Sequence, residues 1–352
     1  MATISLCMIV KNEVAVLGRC LESVRDAVDE IIIVDTGSTD ETREIAGRYT
    51  DKVFEFAWID DFSAARNFSF SKATGDFVMW MDADDVLPPS QAAGLRALKE
   101  TLTHETDMVT MKYHLVWDEQ GQASFVSTRE RLLRRSVGYR WEGRVHECIP
   151  MTGNLLHADL YLEHRSNHGK SDRNLRIYEG QKTKGLPFSA REMYYYAREL
   201  VDHGRYDEAV EQFEAFLAGG EGWFEDNVGT CLALADCYGR LGETELRRVA
   251  LGRGFGYAPP RAQLCCALGY EAKERGDWPS GAFWFEAALL APAAQSFGFE
   301  AQDMAGFVPH LELCVCYDAL GQRERAIVHN EAAGAIKPDA AAVAQNRAYF
   351  SK

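Results

Sequence analysis

The chain has 352 residues, 47% hydrophobic and 26% charged, which is the composition of a globular protein with enough apolar material for two cores. A formal net charge of −15 argues against a generic nucleic-acid binder, and no segment approaches the ~20 uninterrupted apolar residues of a membrane span. Nine cysteines without a CxxC pair, behind an N-terminus that lacks a basic n-region and a cleavage site, read as reduced, buried thiols in a cytoplasmic enzyme or adaptor, with a disulfide framework and a zinc site both disfavoured.

In chain order, Ile4 to Val10 reads as a buried strand, and after Lys11-Asn12-Glu13 a helix carries Leu17, Leu21, Val24 and Val28 at spacings of three and four. Glu30 to Asp35 is the next strand and ends in an acid; Ser38 and Glu41 supply a capping box for a helix to about Tyr49. Val53 to Phe56 is a short strand, Asp61 to Ala73 a helix with Arg66 and Asn67, and Phe77 to Met81 an apolar strand running into Asp82, Asp84 and Asp85. Strands alternating with helices predict an α/β domain with a parallel sheet, whose ligands lie beyond the strands' carboxyl ends. Three carboxylates within four positions repel one another unless something positive sits between them, and a divalent cation carrying substrate phosphates is the common answer. The plain alternative is an acidic turn that caps the helix beginning near Pro88 and Pro89, with Asp85 as the cap.

Farther on, Pro88 to Leu102 is predicted as a helix, and Met108 to Trp117 and Ala123 to Arg134 as two longer strands joined through Asp118 to Gln122 into a hairpin beside the parallel sheet. Arg129, Arg131, Arg134, Arg135, Arg140 and Arg144 form a basic stretch, either a local positive surface or a solvated strand face. Trp141-Glu-Gly-Arg-Val-His-Glu147 holds three groups able to take a proton, Glu142, His146 and Glu147. Glu147 would otherwise form an ion pair with Arg144 or Arg140, and Trp141 would stack on a sugar or pack under the hairpin. Leu160 to His164 ends another strand-like run. His168 lies four residues on.

Cys7-Met-Ile-Val-Lys-Asn-Glu13, Ile33-Val-Asp-Thr-Gly-Ser-Thr-Asp40, Ala65-Arg-Asn67, Ala73-Thr-Gly-Asp76 and Met81-Asp-Ala-Asp-Asp85 together resemble the family 2 glycosyltransferases of the GT-A fold. The likeness runs more weakly to about residue 180. It implies a sugar-nucleotide donor, commonly a UDP-sugar, a Mn²⁺ or Mg²⁺ ion at Asp82 and Asp84, and transfer with inversion. On that reading Val10, Asn12 and Glu13 offer backbone and amide groups to the base, Asp35 accepts from uracil or ribose, Arg66 meets diphosphate or a base edge, and Asp82 also touches ribose. Asp35 would otherwise hold the turn at Ser38, and Arg66 would pair with Asp60 or Asp61. The resemblance places Glu147, with His146 beside it, where an acceptor-side base belongs, and makes His164, with His168 in reserve, a third metal ligand.

From Ser189 onward the sheet signals vanish. Tyr194 to Phe213 is a helix-turn-helix pair similar to a tetratricopeptide repeat, and like units recur around Gly242, Gly276 and Gly321. With Gly204 the turn glycines are 38, 34 and 45 residues apart, so the array is irregular, with an insertion around Pro292 to Pro309. The expected division is therefore a transferase domain over 1–187 and a helical repeat domain over 188–352. The whole resembles the bacterial peptide S-glycosyltransferases of bacteriocin pathways. That likeness implies a peptide or protein acceptor held by the repeats, whose alternative role is to bind a second subunit in a homodimer, and leaves glycan synthesis and a non-catalytic repeat adaptor as the other readings.

Overall fold

The computed structural model describes residues 1–117, 123–166, 171–292 and 300–352. The expected hairpin turn at 118–122, His168 and the core of the expected insertion lie outside these residues. Two compact units are present, Met1–Pro187 and a helical unit that begins at Phe188.

In the first unit β1 (Ile4–Val10), β2 (Glu30–Asp35), β3 (Val53–Glu55) and β4 (Phe77–Trp80) are all parallel, in the order β3-β2-β1-β4. β1, β2 and β4 are almost wholly buried, as expected of strands covered on both faces. α1 (Leu17–Val24) turns Leu17, Cys20, Leu21 and Val24 into the core shared with β1. It ends a turn before Val28. α2 (Thr42–Ala46) has no side-chain cap; Ser38 Oγ instead accepts from the Asn12 N–H, so the predicted capping box gives way to a tie between two strand ends. α3 (Phe62–Phe70) is capped by Asp61, which accepts from the Ala64 N–H.

β5 (Asp85–Val86) and α4 (Pro89–Thr101) follow, then β6 (Met108–Trp117) and β7 (Ala123–Arg134), an antiparallel pair in which β7 runs antiparallel to β4. β8 (Leu155–His164) is parallel to β6 and antiparallel to β5, with Asp85 directly opposite His164. That short ladder brings two residues 79 positions apart to one edge, which is what the site requires. α5 (Arg173–Thr183) closes the unit. The sheet is therefore mixed, parallel from β3 to β4 and antiparallel where β7 joins β4.

The second unit is built from α6 (Ala190–Asp202), α7 (Tyr206–Gly219), α8 (Phe224–Leu241), α9 (Thr244–Arg253), α10 (Ala262–Glu274), α11 (Trp278–Leu290), α12 (Phe307–Ala319), α13 (Arg323–Ile336) and α14 (Ala341–Phe350). Consecutive helices pack as hairpins, α6 with α7 and so on to α12 with α13, the stacked arrangement of tetratricopeptide-like repeats. Gly204, Gly242, Gly276 and Gly321 sit at the four turns with φ of +72°, +82°, +73° and +72°, where only glycine pays no steric cost. Tyr194, Tyr196, Phe213 and Phe285 are buried between helices. All nine cysteines are free thiols, eight of them buried.

Candidate active site

β1, β2 and β4 are parallel, so their carboxyl ends share one edge, and there a cavity of about 680 Å³ opens. On one side it is lined by Val10, Asn12, Glu13 and Thr36. Asn12 has a left-handed φ of +57°; its side-chain oxygen accepts from the Thr39 N–H at 2.8 Å, and the Glu13 N–H donates to Thr42 Oγ1 at 2.7 Å. The first two strand ends are thereby stitched into one rim. Asp35 lies just behind this rim, buried, with its carboxylate accepting from the N–H groups of Gly37 at 3.2 Å and Ser38 at 3.1 Å. Its visible work is to hold the turn, and Thr36 is the residue that reaches the cavity.

The opposite wall is organised by Arg66. Its Nη2 donates to Asp82 Oδ1 at 2.7 Å and its Nε to Glu147 Oε1 at 2.5 Å, while its guanidinium lies 5.2 Å from the Trp80 ring centre and 4.8 Å from that of Trp141. Burial works against the arginine's charge, but the two carboxylates override it and hold its pKa above the ordinary value. Asp82 answers in kind: burial would raise its carboxyl, and Arg66 brings it below the usual range. Arg66 thus pairs with Asp82 and Glu147, in place of Asp60 or Asp61, and the partner of Glu147 is neither Arg144 nor Arg140.

Asp85 is fully buried. It accepts from the Tyr113 hydroxyl at 2.5 Å, the Asp82 N–H at 3.1 Å and Arg131 Nη1 at 3.3 Å. The expectation that Asp85 caps the following helix is corrected: α4 starts after Pro88, and pairing of β5 with β8 draws the carboxylate inward. Arg131, expected on a positive or solvated face, has no exposed surface, and its guanidinium lies 3.8 Å from the centre of the Trp80 ring and 4.4 Å from that of Tyr113. Two more arginines of the basic stretch are spent locally, Arg134 on Asp107 and Arg135 on the Gly75 carbonyl.

His164 Nδ1 stands 2.8 Å from the Tyr113 hydroxyl and 3.4 Å from oxygens of both Asp84 and Asp85. The hydrogen bond to Asp85 raises its pKa, and Asp84 adds to the effect; burial, the largest influence on Asp84, raises that carboxyl. Ligand atoms of Asp84, Asp85 and His164 lie within 4.8 Å of one another. Asp82, expected beside Asp84 and His164, is turned toward Arg66.

Glu147 and His146 project from a loop closed by reciprocal backbone bonds between Glu142 and Cys148, 2.9 and 3.0 Å long. Gly143 (φ +93°) and His146 (φ +51°) give the loop its reversal, and a histidine in this region is a constraint worth about 1–2 kcal/mol. Three clamps hold it. Asn67 exchanges two bonds with the Trp141 backbone at 2.9 and 3.0 Å, the Phe62 N–H donates to the Arg144 carbonyl, and the Tyr178 hydroxyl donates to that of Val145. Glu147 and His146 line the cavity and Glu142 does not. Trp141 is buried edge-on against Trp80, with ring centres 5.0 Å apart, so it mainly packs. Sequence reasoning missed Asn67, Tyr113 and Arg131 as parts of the site. The one signal was Arg131 itself, a charge set directly before the core residues Leu132 and Leu133.

Residues 5–159 match the family model described as glycosyl transferase family 2. A TPR repeat-containing protein of Synechococcus elongatus is 40% identical over 151 residues, 42% of this chain and 36% of that protein. The SPbeta prophage-derived glycosyltransferase SunS of Bacillus subtilis is 26% identical over 224 residues, 59% of this chain and 52% of that protein. Among solved structures, glucosyl-3-phosphoglycerate synthase from Mycobacterium tuberculosis in complex with Mg²⁺ and uridine-diphosphate aligns with a TM-score of 0.35 and 16% identity, over 54% of this chain and 82% of that one. The chain spans about half or less of the length of these two curated relatives. No helix among the described residues is long and apolar enough to cross a membrane.

Proposed function

We propose that this chain, a family 2 glycosyltransferase domain followed by tetratricopeptide-like repeats, moves a sugar from a nucleotide-diphosphate donor, in the first place a UDP-sugar, to a peptide or protein acceptor with inversion at the anomeric carbon. The observation that carries the reading is Arg66, which joins the donor-side acid Asp82 to the acceptor-side acid Glu147 across one cavity.

Val10, Asn12 and Glu13 take the base, with Asp35 shaping the turn behind them and Thr36 facing the ribose. Asp84 and His164 fit a divalent cation, Mn²⁺ or Mg²⁺, because a carboxylate whose charge is opposed by burial and an imidazole nitrogen stand within 4.8 Å of each other. Bound there, the ion would neutralise charge on the diphosphate leaving group. Arg66 adds a fixed positive charge on the same side. Glu147 Oε accepts the proton as the acceptor heteroatom bonds to the anomeric carbon and the bond from that carbon to the diphosphate oxygen breaks. His146, beside it, shapes the acceptor approach. The repeat unit carries 15 basic against 24 acidic residues after Pro187, which favours a basic or aromatic peptide over an acidic one.

The test is release of free sugar from UDP-sugars with added Mn²⁺ and no acceptor. Slow hydrolysis by the parent and its loss in Asp84→Asn are expected. Absence of both hydrolysis and UDP binding would leave a non-catalytic repeat adaptor. Hydrolysis together with transfer to oligosaccharides and none to peptides would favour glycan synthesis.

A further inference from the structure

Beneath the acids lies a chain of three groups, Asp85, Tyr113 and His164, of which the transfer described above uses only His164. The Tyr113 hydroxyl has one proton and two close neighbours, Asp85 Oδ1 at 2.5 Å and His164 Nδ1 at 2.8 Å. Asp85 is wholly buried and accepts from the Asp82 N–H and from Arg131 on Oδ2 and from the Tyr113 hydroxyl on Oδ1. The tyrosine proton therefore goes to Asp85. What remains on the phenol toward His164 is a lone pair, so the imidazole must supply the hydrogen, and Nδ1 carries it. The surroundings agree, since oxygens of Asp84 and Asp85 also lie 3.4 Å from Nδ1.

We propose that Tyr113 is the positioning residue of this site: by donating to Asp85 and accepting from His164 Nδ1–H it fixes the imidazole as the Nδ1–H tautomer and leaves Nε2 as the atom offered to a divalent cation. The second half of this statement rests on the cation reading above; the first stands without it. A metal-bound histidine commonly donates its other ring N–H to an acceptor behind it, and loss of such a partner costs about 10–100-fold in metal affinity. Here the acceptor is a phenol, which is itself anchored by a buried carboxylate. Asp85 accordingly acts through Tyr113 rather than as a ligand, although it belongs to the same acidic run.

The experiment uses the full chain, ¹⁵N-labelled and free of metal. Long-range ¹H–¹⁵N spectra report which ring nitrogen of each histidine bears the proton, and His164→Gln identifies the His164 signals. The parent should show His164 protonated on Nδ1 and bare on Nε2. Tyr113→Phe, which keeps the ring and removes the hydroxyl, should shift His164 to a mixture of tautomers while the other histidine signals stay in place. In the same samples Mn²⁺ affinity, followed by the paramagnetic resonance of the free ion, should weaken by about 10–100-fold in Tyr113→Phe. A parent with the proton on Nε2 overturns the proposal, as does a Tyr113→Phe protein with both tautomer and Mn²⁺ affinity unchanged. If the parent holds the Nδ1–H tautomer but binds no Mn²⁺, Tyr113 still fixes the ring, and it is the cation reading that falls.

Discussion

The two units bury charge in opposite ways. In the sheet unit every acid drawn into the site region meets a cation or a donor at close range: Asp82 and Glu147 share Arg66, and Asp85 is held by Tyr113 and Arg131. In the helical unit several arginine–carboxylate pairs lie on exposed faces a turn apart, such as Arg248 with Glu245 and Arg240 with Asp236, where each contributes little. Asp226 of α8 is the contrast. It is buried, and although Arg191 and Arg198 pull its pKa down, burial dominates and pushes it up to about 6. At the sheet edge Arg66 outweighs desolvation at Asp82, whereas desolvation dominates at Asp226 as it does at Asp84; Asp84 shares its place with Asp85 and His164 and is read as chemistry, and Asp226 as a cost of packing.

The largest expected effect breaks the comparison at its catalytic end. Glu147→Gln keeps the shape of the Arg66 contact but cannot take a proton, so turnover should fall by about 10²–10⁴-fold. Donor affinity, read by calorimetry with UDP, should persist. Equal losses in both would make Glu147 a structural partner of Arg66, and a larger loss in His146→Gln would move the base by one residue.

Asp226 sharpens the comparison from the other side. Its folded pKa lies above its unfolded value, so the stability linked to its protonation is fully present below about pH 4 and is lost as pH rises through about 6. Asp226→Asn should therefore match the parent near pH 4 and exceed it at pH 7.5, by at most about 3 kcal/mol. Chemical denaturation at the two pH values measures this. A difference that does not change with pH would mean that the arginines, rather than burial, set the state of Asp226.

The smallest effect concerns the backbone of the repeats. Gly276 sits at φ +73° with open space around it, so Gly276→Ala should cost only the left-handed strain, about 1 kcal/mol. Gly252, helical and equally free of neighbours, should gain about 0.5–1 kcal/mol from the same change. Equal shifts in unfolding midpoint for both would remove the conformational reason for the glycines at the turns.

How much of this could be read from sequence follows from range. The bounds of β1, β2, β6 and β7 and the four turn glycines are local signals, visible in apolar runs and in glycine spacing. The acidic run was legible as a cluster, but its internal division was not. Whether Asp85 caps a helix or anchors a histidine is decided by Tyr113 and Arg131, 28 and 46 residues away, and by a two-residue strand too short to carry a pattern. Glu147 likewise finds its partner 81 positions back, past nearer arginines. Arg131 looked like surface because arginine usually is, and Asp85 together with the rings of Trp80 and Tyr113 makes its burial tolerable.

The most direct test of the account is the thermal stability of the full chain with UDP, measured with Mn²⁺ and with excess chelator, in the parent and in Asp84→Asn. At 100 times the dissociation constant the nucleotide should stabilise the parent by about 2.7 kcal/mol, and chelator or Asp84→Asn should remove most of that gain. Full stabilisation of the parent by UDP in chelator, or of Asp84→Asn in Mn²⁺, would contradict a cation-assisted diphosphate site at this edge.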